Sequence, residues 1–272
     1  MVDGVRDEFH GYLRLARASV LAQTERPLLF WSSAAGAGLS VVAEGGGIYL
    51  LVHAFGRMGG WTPSQVLLLY AITNLGFGLY STFCYSLHSP NFAVLLRTGA
   101  FDRALHLPIR PLLWLLGSDL QTRELGRFVL GIGLMALIGG DAGVHWDARS
   151  LAVLAMACVC TALVLFGISL AGTALTFRTR QATEFVVVLA FGGLNLAAYP
   201  LQVFDVLLRA VFVYLVPVGL TVYVPALWLL DKHGPAWAGR GLLPLVPVLT
   251  ATTCAVGWLV YRAGLRHYLE VG

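Results

Sequence analysis

Lysine is nearly missing from this 272-residue chain, which carries only Lys232, and charge of any kind is scarce, with Asp, Glu, Lys and Arg making up 12% of the residues. Soluble domains carry roughly 25% charged residues. With 58% hydrophobic residues and a mean hydropathy of +0.77, a soluble fold is excluded and the chain reads as an integral membrane protein. The lone lysine excludes a chemistry as well. A phosphate cradle of the form GxxxxGK[ST] needs a lysine followed by Ser or Thr, whereas Lys232 precedes His233. The chain therefore does not hydrolyse ATP by the P-loop mechanism.

Other absences narrow the class further. There is no HExxH and no GxSxG, and His10, His53, His88, His106, His145, His233 and His267 fall at span ends, in loops or in terminal segments, so enzymatic chemistry is not expected. Cys84, Cys158, Cys160 and Cys254 all lie within apolar runs and read as small packing residues; Cys158 and Cys160 would stand about 200° apart on a helix, which argues against a shared metal or disulfide. No long linker, low-complexity tract or internal repeat is visible, and the first 26 residues lack the apolar core of a cleaved signal peptide. The net charge of +4 comes from arginine-rich loops at a membrane surface, and nucleic-acid binding is not expected.

What is present are apolar runs. A helical crossing needs about 20 mostly apolar residues, and the runs fall at about 28–53, 65–87, 125–140 (with a start near 112 also open), 151–175, 184–200 and 242–262. Residues 1–27 predict an amphipathic helix lying on the membrane surface, with Phe9, Tyr12, Leu13, Leu15 and Ala16 among the charges. The stretch 203–230 is also apolar, but it holds Asp205 and Arg209 near its start and Pro217 and Pro225 within it. Proline removes a backbone donor and clashes with the preceding turn, so this stretch predicts two half-helices forming a re-entrant hairpin, with Asp205 and Arg209 as a local pair. Six crossings with the N-terminus inside place thirteen basic residues in the cytoplasm, Arg178 and Arg180 among them, against five outside. That bias obeys the positive-inside rule, and it leaves Trp61, Trp146 and Trp237 at the outer interface.

Two features carry functional weight. Glu44, in Glu44-Gly-Gly-Gly47, is the single carboxylate near the centre of a span, where an ionisable group costs at least about 2.5 kcal/mol. A proton-coupling role is open, as is a position shifted to the outer interface; the glycines themselves read as close helix packing or a local kink. The second feature is the polar island from Arg97 to His106 within the segment 90–124. As one helix it would put Phe101 and Leu105 on one face and Arg97, Asp102, Arg103 and His106 on the others, suited to lying under the headgroups with a cytosolic partner below.

At this point the residues resemble a family. Tyr12-Leu-Arg-Leu-Ala-Arg-Ala-Ser19, Gly60-Trp-Thr62, Leu67-Leu-Leu-Tyr70, Arg97-Thr-Gly99, Asp102-Arg103, Arg110-Pro-Leu112, Tyr199-Pro-Leu201, Tyr223-Val-Pro-Ala226 and Gly264-Leu-Arg-His-Tyr268 look like a bacterial group of ABC-2 type permeases, in order from end to end. The resemblance implies an all-α integral membrane fold of six transmembrane helices with both termini cytoplasmic. It also implies an N-terminal interfacial helix, a cytoplasmic coupling helix between spans two and three, and a re-entrant element before the last. It implies two copies of a separate ABC ATPase subunit that bind ATP and Mg, no cofactor in this chain, and a second permease subunit as homo- or heterodimer. Export across the inner membrane is the usual direction. This chain departs from the group at His106-Leu-Pro108, where Arg-Pro often follows the Asp-Arg motif. The few charges in the spans suit an amphiphilic or hydrophobic substrate, and Ala34 and Gly38 are candidates for a dimer seam. The rival readings are a proton-coupled secondary transporter centred on Glu44 and a membrane enzyme or assembly factor with no transport path.

Overall fold

The computed structural model describes residues 2–179, 181, 184–235 and 238–271; Arg180 and Trp237 lie outside them. Among the described residues the named elements are all helical, in the order α1 Val2–Thr24, α2 Pro27–Phe55, α3 Pro63–Cys84, α4 Ser89–Arg97, α5 Ala100–Leu105, α6 Pro111–Ser118, α7 Glu124–Ala142, α8 Ala148–Thr179, α9 Glu184–Ala197, α10 Val206–Ala210, α11 Val218–Leu229 and α12 Leu245–Val271. Prolines begin α2, α3 and α6 at the first helical position, where the missing N–H has no intrahelical role. α3 is capped further, since Gln65 Oε1 accepts from the Thr62 N–H at 3.1 Å in a reciprocal capping box.

Among the described residues five helices are long and apolar enough to cross a membrane, with a sixth crossing if the bent pair around residue 215 is one span. α3 is the most enclosed of them, and α2, α7 and α12 leave most of their apolar surface outward, as lipid contact allows. Leu28, Trp31, Leu39, Leu137 and Leu259 are among the exposed side chains. The helix over the expected fifth span has 14 residues, about 21 Å of rise against a hydrocarbon core of about 30 Å. The expected third span is also shorter than its widest reading. Its start near 112 is a separate helix, α6, and the chain turns at Asp119 (φ −143°, ψ 71°) before α7 begins.

The polar island is two helices rather than one. Gly99 takes φ +66°, a left-handed value that favours glycine, so α4 ends at Arg97 and α5 starts afresh at Ala100. At the other end of the bundle Gly59 (φ +56°) and Gly60 (φ +82°) let Met58 and Trp61 exchange backbone hydrogen bonds across a tight turn.

Small residues set the closest helix approaches. Gly257 of α12 lies on the Gly167 carbonyl of α8, while a Cβ at Gly167 would stand 2.8 Å from the Thr253 carbonyl and one at Gly264 2.7 Å from Ala174. Gly257→Ala is expected to force α8 and α12 apart and cost about 1–3 kcal/mol. Gly46→Ala, where a Cβ meets nothing within 4 Å, should be neutral or stabilising by up to ~1 kcal/mol. Thermal unfolding of the two purified variants separates them, and equal midpoints would contradict the assignment.

Ala34 and Gly38 are used differently from the expectation. Both are buried against α7 inside the chain, Ala34 at the Gly126 backbone and Gly38 where a Cβ would stand 2.5 Å from Leu130. Small residues signal a close approach without naming the partner, and here the partner is this chain's own helix. α2 runs unbroken through the triple glycine; Gly45 is pressed against Tyr70 and Leu67, while Gly46 and Gly47 are open. Trp61 is 2% exposed and packs 5.5 Å from Tyr223 rather than facing headgroups.

Both ends of the segment 203–230 return to one loop. Gln202 donates to the Gly59 carbonyl, and Lys232 Nζ donates to the Gly60 carbonyl at 3.1 Å and to Gln65 Oε1 at 2.6 Å. Between them the chain bends by 93°. Pro217 stands at the elbow before α11, and Pro225 is buried within α11. Asp205 caps α10, its carboxylate accepting from the Leu207 N–H at 3.2 Å, and Arg209 follows in the last turn.

Candidate functional site

Three polar places stand out from an otherwise apolar molecule. The first is α5. Phe101 is fully buried, its ring 5.5 Å from Phe92, 5.4 Å from Phe177 at the end of α8 and 6.0 Å from Tyr268 of α12. The Tyr268 hydroxyl donates to Asp102 Oδ1 at 2.6 Å. Asp102 is thereby tied to α12 while it stays exposed. Arg97, Arg103 and His106 remain exposed, with Arg103 Nη1 reaching back to the Thr98 carbonyl at 3.3 Å, and Leu105 is partly buried. One side of this short helix is thus wedged onto the ends of two long helices, and the other presents basic groups.

The chain's two ends gather beside it. Ser19 Oγ accepts from the Leu120 N–H at 3.0 Å, Gln23 Oε1 accepts from Thr122, and Arg110 pairs with Glu8 at 3.1 Å. Asp119, half-buried here, has its carboxyl pushed above the usual range by burial.

The second place is a buried ion pair at the head of α7. Arg127 Nε stands 3.0 Å from Glu124 Oε2, and its Nη1 donates to Asn74 Oδ1 of α3 at 2.7 Å. Glu124 is 6% and Asn74 5% exposed, and the guanidinium lies 5.1 Å from the Phe77 ring. The three-residue spacing of Glu124 and Arg127 at the head of an apolar run, with an asparagine inside the preceding span, is the only trace of this in the sequence.

The third is a groove of about 380 Å³ between α2 and α9, floored by Tyr70 of α3 and lined by Glu44, Gly47, Ile48, Leu51, Asn195, Ala198 and Tyr199. The single Tyr70 hydroxyl proton is shared between Glu44 Oε2 at 3.0 Å and the Val41 carbonyl at 3.1 Å. Glu44 and Asn195 are both exposed. Sequence reasoning found Glu44 but not the side chains opposite, because Asn195 and Tyr199 become its neighbours only through the fold.

Among the described residues no group of three or more His, Cys, Asp or Glu is placed to hold a metal ion. Residues 42–272 match the family model described as "ABC-2 family transporter protein". No curated protein and no solved structure matches the chain.

Proposed function

Because this chain belongs to the ABC-2 family of transporter proteins, we propose that it is the transmembrane permease subunit of an ATP-binding cassette exporter of the cytoplasmic membrane. It provides the passage for an amphiphilic or hydrophobic substrate, and two copies of a separate ATPase supply the driving force. A second permease subunit completes the path.

The observation that carries this reading is α5. A membrane protein without a P-loop must receive its push through contact, and a rigid-body displacement needs a firm handle. α5 and the residues flanking it offer exposed Arg97, Arg103 and His106, while Phe101 of α5 packs against α8 and α12. A partner pressing on the basic side would move two membrane helices with it.

Six crossings with both termini on the cytoplasmic face fit the contacts. Glu8 pairs with Arg110 and Tyr268 with Asp102, which supports placing α1 and the end of α12 on one face and an even number of crossings. α2, α3, α7, α8 and α12 supply five. α9 is the sixth in this reading, since its continuation reaches Gly59 through Gln202 at the opposite end. The segment 203–230 is then a re-entrant hairpin, a reading supported by its return to the same loop.

Charge reversal of the exposed side of α5 tests the proposal. The wild-type protein is expected to co-purify with a P-loop ATPase encoded beside it, and Arg97→Glu with Arg103→Glu should lower that recovery at least about tenfold while leaving the melting temperature of the permease alone. Unchanged recovery would show that α5 is not the docking element.

A further inference from the structure

We propose that the groove holding Glu44 is a binding site for a lipophilic organic cation, so that the cargo class of this transporter is an apolar body bearing a positive nitrogen or comparable onium centre. The inference rests on the permease reading and adds the chemistry of what moves.

The argument begins with the carboxylate's surroundings. Glu44 is the eighteenth residue of a 29-residue apolar helix, far from either end. A carboxylate at such depth is stabilised only by a partner or by a polar cavity. Tyr70 provides part of one hydrogen bond, since its one proton is shared with the Val41 carbonyl. An ionised carboxylate has about four acceptor sites, so most of its capacity faces the groove. No lysine, arginine or histidine is among the lining residues. The groove itself thus supplies no fixed positive charge opposite the carboxylate, and a cationic guest would supply one.

The rest of the lining agrees with a cation carried on an apolar body. Tyr70 and Tyr199 bring aromatic rings to the groove, and such rings attract onium groups through their quadrupole. The Asn195 side chain adds a polar group that carries no charge, while Ile48, Leu51 and Ala198 supply apolar wall. Gly47 keeps the groove open, for a Cβ there would meet nothing within 4 Å. The volume of about 380 Å³ lies within the range of small-molecule sites, roughly 300–1,000 Å³. In low-dielectric surroundings the attraction between an onium centre and a carboxylate is far stronger than in water, whereas an anion of the same shape would be repelled.

Tetraphenylphosphonium and tetraphenylborate have nearly the same shape and opposite charge, so they separate charge recognition from partitioning into lipid. With the protein and its ATPase reconstituted in lipid nanodiscs, saturable binding of labelled tetraphenylphosphonium is expected, with no comparable saturable binding of tetraphenylborate. Glu44→Gln should weaken the cation at least about tenfold. Gly47→Leu, which fills the groove but keeps the Glu44 carboxylate rather than an amide, should weaken it as well and serves if Glu44→Gln misfolds. Equal binding of the two ions, or cation binding unchanged in both variants, would overturn the proposal. If the ATPase co-purifies but the cation does not bind, the cargo class falls and the permease reading stands. Glu44-dependent cation binding without any ATPase partner would leave the site standing and remove the transport role.

Discussion

Replacing Arg127 by leucine is expected to destabilise the protein by about 3–5 kcal/mol, the usual consequence of removing one member of a buried pair. The substitution leaves the Glu124 carboxylate at 6% exposure with only the more exposed Arg123, 3.8 Å away, in place of the guanidinium that stands at 3.0 Å. It also withdraws the donor that Asn74 Oδ1 receives at 2.7 Å, so a second buried group loses its partner. Thermal unfolding of the purified protein should register a large fall in midpoint. The double variant Glu124→Gln with Arg127→Leu should lose clearly less than the single one, because the stranded charge is gone; the difference measures the coupling. A single variant that melts with the wild type would mean that the pair is dispensable to the fold.

Phe101→Ala is the second large expectation. Its ring fills a pocket among Phe92, Phe177 and Tyr268, and truncating a buried phenylalanine costs about 3–5 kcal/mol. The loss falls on a six-residue helix whose other anchors are buried Ala104, partly buried Leu105 and the Tyr268 bond to Asp102, so α5 should detach locally before the bundle unfolds. Limited proteolysis is expected to open the 97–110 stretch, and ATPase recovery in pull-downs should drop together with it. Tyr268→Phe removes one hydrogen bond to an exposed carboxylate and should act in the same direction at about 1 kcal/mol or less. Protection of the stretch in Phe101→Ala equal to that of the wild type would separate α5 from the aromatic cluster.

Much of this architecture is written locally in the chain. Pro27, Pro63 and Pro111 mark where helices begin, and the apolar runs become the long helices because nothing in a bilayer core satisfies open backbone groups. The places where the reading went astray share a cause. Arg97–His106 was read as one helix because side-chain periodicity does not register that Gly99 adopts φ +66°. Arg127 gives no local sign of its burial because its acceptor, Asn74, lies on another helix. Ala34 and Gly38 announce a close neighbour, but only the fold decides that the neighbour is Gly126 and Leu130. Of the candidate site, Glu44 and the basic groups of α5 were visible as charges in unusual places. Asp102 was visible too, yet its bond to Tyr268 joins residues 166 positions apart, a relation no local pattern encodes.

The glycine contact between α8 and α12 has a mechanical meaning. Where Gly257 rests on the Gly167 carbonyl there are no side chains to compress or re-pack, so the two helices form a beam without slack. A displacement at the Phe177 and Tyr268 end is therefore expected to carry both helices together toward Leu245 as tilt, and not to be taken up as bending partway along.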